Sequence, residues 1–145
     1  MNSLYKRLLV ACALLMPCAV SLADSAAYTE GTVTQVFYMR TKPGMFAEYM
    51  KWLGQARKTE EALMKAGVIL SYRVFAAKPK TPQEPDVILM VEYPNMAALD
   101  NLDEKVDAMD RKVQGSAQGS PMNAVDPQSL RDVLGSELIR ELKLQ

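Results

Sequence analysis

Six polar side chains interrupt stretches that otherwise read as apolar β-strands. They are Gln35 and Tyr38 in "TVTQVFYMR", Tyr72 and Arg73 in "VILSYRVFA", Glu92 in "DVILMVEY" and Arg140 in "GSELIRELKLQ". Together they suit a pocket in which an arginine orients an anionic or carbonyl ligand and a tyrosine or Glu92 transfers a proton. A second reading needs no ligand. In it, Arg140 or Arg73 pairs with Glu92 in a sealed core or interface, because buried charges must pair. Arg140 poses the question most sharply. By strand parity it shares a side with Leu138, Leu142 and Leu144, while Glu137, Ile139, Glu141 and Lys143 take the other. It is therefore expected to point at buried space and to find an acceptor: Glu92, a tyrosine hydroxyl, a backbone carbonyl or a ligand anion. Trp52 sits one residue off the apolar stripe of a helix. It suits either a pocket mouth or plain packing.

What is missing narrows the chemistry. The chain has 145 residues, no histidine, and two cysteines, Cys12 and Cys18, both in its first 23 residues. Ser-His-Asp catalysis and histidine acid–base work are excluded, and so is thiol catalysis once that segment is gone. Zinc sites of Cys/His type and an axial His or Cys on haem are excluded in the same way. "GSAQGS" is not G-x-S-x-G and has no histidine to serve it. Asp100, Asp103, Glu104, Asp107 and Asp110 spread along a helix rather than converge from a loop, as calcium would require. They read as a solvated face. The methionines, among them Met39, Met50 and Met90, mostly fall at core spacing and read as adaptable packing rather than a Cu(I) site. No metal and no cofactor is expected. Seventeen basic residues balance 17 acidic ones, so no basic patch argues for nucleic acid.

The opening of the chain is different in kind. Lys6 and Arg7 precede "LLVACALLMPCAVSLA", with Ser21 and Ala23 as the small residues before Asp24. This is the pattern of a cleaved secretory signal over residues 1–23, too short for a comfortable membrane span. A periplasmic or secreted protein is expected. Its mature chain carries no cysteine, so its core must hold it without a disulfide. It would carry 15 basic against 17 acidic residues, a net charge of −2.

Residues 24–31 are small and polar and read as a flexible leader to one domain over 32–145. Strands are predicted at 32–40, 68–76 and 86–93. Between the first two, Phe46, Tyr49, Met50, Leu53, Ala56, Leu63 and Met64 form a helical stripe, with Gly67 placed to end the helix at positive φ. After Pro94, Asn95 can cap a second helix carrying Met96, Leu99, Leu102, Val106 and Met109. "DPQSLRDVLG" predicts a short third helix capped by Asp126, with Pro127 in its first turn and Gly135 at its exit. The final stretch is a fourth strand. The order β-α-β-β-α-α-β is an α+β class, the split βαβ pattern of a ferredoxin-like sandwich.

Such a sheet carries helices on one face, and the other should be polar if the monomer stands alone. Here both are apolar. Val87, Leu89, Val91 and Tyr93 oppose Ile88 and Met90, and Val33, Phe37 and Met39 oppose Val36 and Tyr38. A second copy of the same sheet is the simplest cover. With that pattern in view, "GMFAEYMKWLGQARKTEEALMKAGVILSYRVF" followed by "DVILMVEYPNMAALD" resembles the dimeric α/β-barrel proteins. The helix ending at Ala66-Gly67 and the "EYPNMAALD" strand-to-helix turn carry the likeness. The resemblance implies a homodimer. Members of that family include small monooxygenases, haem-degrading enzymes, isomerases and proteins of unassigned activity. The haem-degrading members use a histidine, which this chain lacks, so haem chemistry is not implied. The expected function is an exported homodimeric module that binds a small organic molecule or is non-catalytic. The alternative is a cofactor-independent monooxygenase or isomerase.

Overall fold

A computed structural model of the protein describes residues 27–115 and 126–145. Strand β1 (Tyr28–Thr41) leads to helix α1 (Phe46–Lys65), then β2 (Ser71–Ala76), β3 (Val87–Tyr93), helix α2 (Leu102–Gln114) and β4 (Arg131–Leu144). The four strands form one sheet in the order β2-β3-β1-β4, antiparallel throughout. This is the ferredoxin-like α+β arrangement. The predicted signal segment lies outside the described residues. Among the described residues, no helix is long and apolar enough to cross a membrane.

Register fixes the faces. Val33, Gln35, Phe37 and Met39 of β1 stand opposite Tyr93, Val91, Leu89 and Val87 of β3, and Tyr72 and Val74 of β2 join them opposite Val91 and Leu89. Both helices pack on this face. One cluster joins Met39, Val87 and Leu89 to Tyr49 and Leu53 of α1. A second joins Val33, Val91 and Tyr93 to Leu63, with Leu102, Val106 and Met109 of α2 packed against it. The periodic stripe on α1 thus becomes buried area, and a fully buried leucine such as Leu63 contributes about 1.5–3 kcal/mol. Helix α1 ends as its glycine predicts. Gly67 takes φ +72°, its N–H bonds to the Met64 carbonyl at 3.1 Å, and the Val68 N–H reaches the Leu63 carbonyl at 3.0 Å.

The opposite face carries Thr34, Val36 and Tyr38 of β1, Ile88, Met90 and Glu92 of β3, Arg73 and Phe75 of β2, and Ile139 of β4. No described helix covers it. Phe75 and Ile139 are exposed, and Ile88 and Met90 are half-buried.

Three expectations change. The predicted third helix does not form. Asp126 does cap, accepting from the Gln128 N–H at 2.9 Å, but only a 3-10 turn follows, Pro127–Ser129. Beyond it, Val133 and Gly135 pair with Met39 and Tyr38 of β1, so a sheet ladder outcompetes the local cap signal. The second helix is broken. Asn95 caps a 3-10 turn, Met96–Leu99, by accepting from the Ala98 N–H. Asp100 then turns extended, and Asn101 takes a left-handed φ of 52° before α2 begins. Asparagine tolerates that conformation better than most residues. Finally, β1 starts at Tyr28, inside the stretch read as a leader. Tyr28, Thr29 and Glu30 pair with Leu144, Lys143 and Leu142 of β4, and this distant pairing supplies the order the local sequence does not.

Candidate functional site

The seven sequence-predicted side chains do not converge. Glu92, Arg73 and Tyr38 belong to the uncovered face, whereas Tyr72, Gln35 and Arg140 share the helix-covered parity, and Trp52 lies on α1. Arg140 pairs across β1 with Val33, and Glu92 pairs with Thr34, the next residue along. Successive residues point to opposite sides of a strand, so Arg140 and Glu92 cannot meet through the sheet.

Each of these residues has its own setting. Arg140 forms an ion pair with Glu30, an acceptor outside the expected set. It borders a cleft of about 490 Å³ shared with Thr32, Asn95, Met96 and Lys143. Its leucine neighbours are not core: Leu138 is 45% exposed, Leu142 51% and Leu144 83%. The parity argument held for direction and failed for burial, because the described helices pack over β1 and β3 and leave the β4 edge bare. Glu92 accepts hydrogen bonds from Thr32 Oγ1 of β1 and Ser71 Oγ of β2, both at 2.9 Å. These bonds, with the nearby charge of Arg73, hold its carboxyl below the usual carboxylate range. Tyr38 donates to Glu137 across to β4, and that bond raises its hydroxyl pKa. Gln35 sits between Val91 and Leu138 in the ladder. Trp52 stacks on Tyr49 with ring centroids 6.0 Å apart, and its Nε1 is buried without a hydrogen-bond partner.

Tyr72 is the exception, because it lines a cavity. A space of about 350 Å³ lies between α1 and β2, walled by Met50, Leu53, Gly54, Arg57, Met64, Tyr72 and Val74. That is within the lower range of small-molecule sites, and the walls are mostly apolar with few polar groups, as such sites usually are. The local sequence explains the placement. Positions 50, 53, 57 and 64 recur at helical spacing on the sheet-facing side of α1, and Tyr72 and Val74 alternate onto the same side of β2.

The residue that sequence reasoning missed is Glu60. It lies three residues after Arg57 and four before Met64, within the sheet-facing stripe. Burial pushes its carboxyl up to about 7. Its charge in turn raises the hydroxyls of Tyr72 and of Tyr93, the latter to about 12, although burial is the larger cause for both. Arg57, the nearest cation along the helix, is engaged by Glu61 at 2.8 Å. Among the described residues, no cation or hydrogen-bond donor engages Glu60. A signal existed in the sequence: the stripe through Ala56, Leu63 and Met64 passes over position 60 and finds a glutamate there.

Two other groups read otherwise. Asp110 of α2 accepts from Thr59 Oγ1 of α1 at 2.8 Å, which ties the two helices together. No cluster suited to a metal ion occurs among the described residues.

No protein-family model and no curated protein matches the chain. Among solved structures, a chlorite dismutase-like protein is similar over 77% of this chain, with 16% sequence identity and a TM-score of 0.42. The matched part spans 44% of that protein's length.

Proposed function

We propose that the protein is an exported homodimer that holds a small organic molecule between α1 and β2. The observation that carries this reading is the cavity itself, with apolar walls from Met50, Leu53, Met64 and Val74 and a phenol, Tyr72, among them. Export rests on the segment ending at Ala23, with mature protein expected to begin at Asp24. N-terminal sequencing of exported material that finds Met1 would overturn that part.

The dimer rests on the uncovered face. Phe75, Ile88, Met90 and Ile139 present apolar surface across all three strands outside the β1 centre, and the β4 leucines extend it. A twofold axis would lay this face on its own copy and bury about 1,600 Å² in total, the standard size for a stable complex. Sedimentation of the mature chain should give a dimer at micromolar concentration, and a monomer would remove the argument.

The ligand reading is tested by filling the space. Val74→Trp and Met64→Trp should each abolish the thermal stabilisation that small, mostly apolar compounds give the native protein. If both variants bind as the native chain does, the cavity is not the site. Glu60 favours a second reading, a cofactor-independent isomerase or monooxygenase. A carboxyl with pKa about 7 beside the cavity is suited to accept a proton from an acidified C–H or O–H at neutral pH. Solvent-deuterium exchange into an enolisable ketone, lost in Glu60→Gln, would support it.

A further inference from the structure

Glu60 is a charged group without a partner in a place where partners are expected. It faces the sheet from α1, shares its surroundings with Tyr72 and Tyr93, and adjoins a cavity whose wall includes Tyr72. Buried or half-buried carboxylates are normally paired, because removing a charge from water is unfavourable without compensation. The cation best placed by sequence, Arg57, is held by Glu61 instead. Across the sheet, Glu92 shows how the same side chain looks when the fold satisfies it, with Thr32 and Ser71 donating to its two oxygens.

Resting on the cavity reading above, we infer that the ligand is an organic ammonium compound, whose cationic nitrogen pairs with Glu60 while its apolar body fills the space between α1 and β2. Three features agree on that class. The unpaired carboxylate supplies the countercharge. The rings of Tyr72 and Tyr93 beside it can present π-faces to a cation. Met50 and Met64 offer adaptable sulfur-bearing walls suited to an aromatic or branched apolar body. An anionic ligand fits the same space poorly, since it would bring a like charge to Glu60. The high pKa of that carboxyl agrees with a site whose countercharge comes from the ligand, because an ammonium group beside it would favour the ionised form.

The test uses the mature protein at pH 8 and three matched probes: 2-phenylethylamine, 2-phenylethanol and phenylacetate. Calorimetric titration should show the amine binding at least about tenfold more tightly than the alcohol, with phenylacetate weakest. Glu60→Gln should remove the advantage of the amine and leave the affinity for the alcohol unchanged, which also verifies that the variant is folded. Val74→Trp should abolish binding of both. If the alcohol binds native protein as tightly as the amine, or if Glu60→Gln keeps the preference, the ammonium inference fails while the cavity reading stands. If the amine still binds Val74→Trp, it binds elsewhere and the inference fails. If none of the three probes binds the native protein, both readings fall.

Discussion

Two glutamates lie on opposite faces of the same sheet and have opposite fates. Glu92, on the face no helix covers, is tied by Thr32 and Ser71 and influenced by Arg73, and its pKa falls. Glu60, on the face both helices cover, has no such ties among the described residues, and its pKa rises to about 7. One would expect the covered face to be the better satisfied. The reverse teaches where to look for function. A carboxylate whose bonds are met by β1 and β2 acts as architecture, holding strands in register. A carboxylate left unmet beneath a helix, next to a cavity, is a group the fold has not used.

The largest effect should come from the covered face. Leu63→Ala, at the heart of the second cluster, should cost about 2–5 kcal/mol in denaturant unfolding. Phe75→Ala on the other face should change monomer stability far less, and equal losses would erase the contrast between the faces. Second comes assembly. Met90→Asp places a charge in the centre of the uncovered face and should weaken the proposed dimer about 100-fold or more by sedimentation, with the circular dichroism of the fold retained. An unchanged dimer would mean that this face is not the interface.

The two glutamates give the next pair. Glu92→Ala should lower stability by about 1–3 kcal/mol at pH 7, because Thr32 and Ser71 lose their acceptor. The pKa of Glu92 is depressed in the folded state, so its contribution is present above the ordinary carboxylate pKa and fades as the pH falls through the folded value. The gap between variant and native protein should therefore narrow in acid. For Glu60 the sign reverses. Its folded pKa lies above the unfolded one, so the folded state binds the extra proton between about 4.5 and 7 and loses stability as the pH rises through that range. Glu60→Gln should be neutral near pH 4.5 and stabilising at pH 8 by about 1–2 kcal/mol, a figure reduced for the group's partial exposure. A destabilised Glu60→Gln at pH 8 would show that the carboxylate already has a partner. The smallest effect belongs to Gly31, at the β1 irregularity. A Cβ there would lie 2.9 Å from Cβ of Glu141, so Gly31→Ala should cost about 1 kcal/mol by thermal melting, relieved if Glu141 is also shortened.

Much of the fold was legible because it follows from local rules. The stripe through Tyr49, Leu53, Ala56 and Leu63 foretold α1 and its buried face, Gly67 foretold its end, and Val87, Leu89, Val91 and Tyr93 foretold which side of β3 is sealed. Asn95 and Asp126 both cap, yet each caps a 3-10 turn rather than the expected helix. A cap is decided by neighbouring residues, whereas the continuation of a helix competes with pairing to a distant strand. Less of the site was legible. Polar residues in strands stood out against an apolar pattern, so Glu92 and Arg140 drew attention, while Glu60 passed as an ordinary charge on a charged helix. Tyr72 alone of the seven candidates borders the cavity beneath α1.

By itself the sequence determined periodicities, stops, missing chemistries and the face each strand residue takes, since these depend on covalent geometry and the two repeat lengths of the backbone. It set Arg140 on the same side as Leu138 and Leu142. Only the tertiary structure decided what lay on that side. The packed helices stop short of β4, so the leucines are exposed and Arg140 turns to Glu30. The same packing brings Glu60 of α1 close to Tyr72 and Tyr93, 12 and 33 residues away along the chain. Burial and charge pairing are sums over neighbours from every element, and no local pattern contains them.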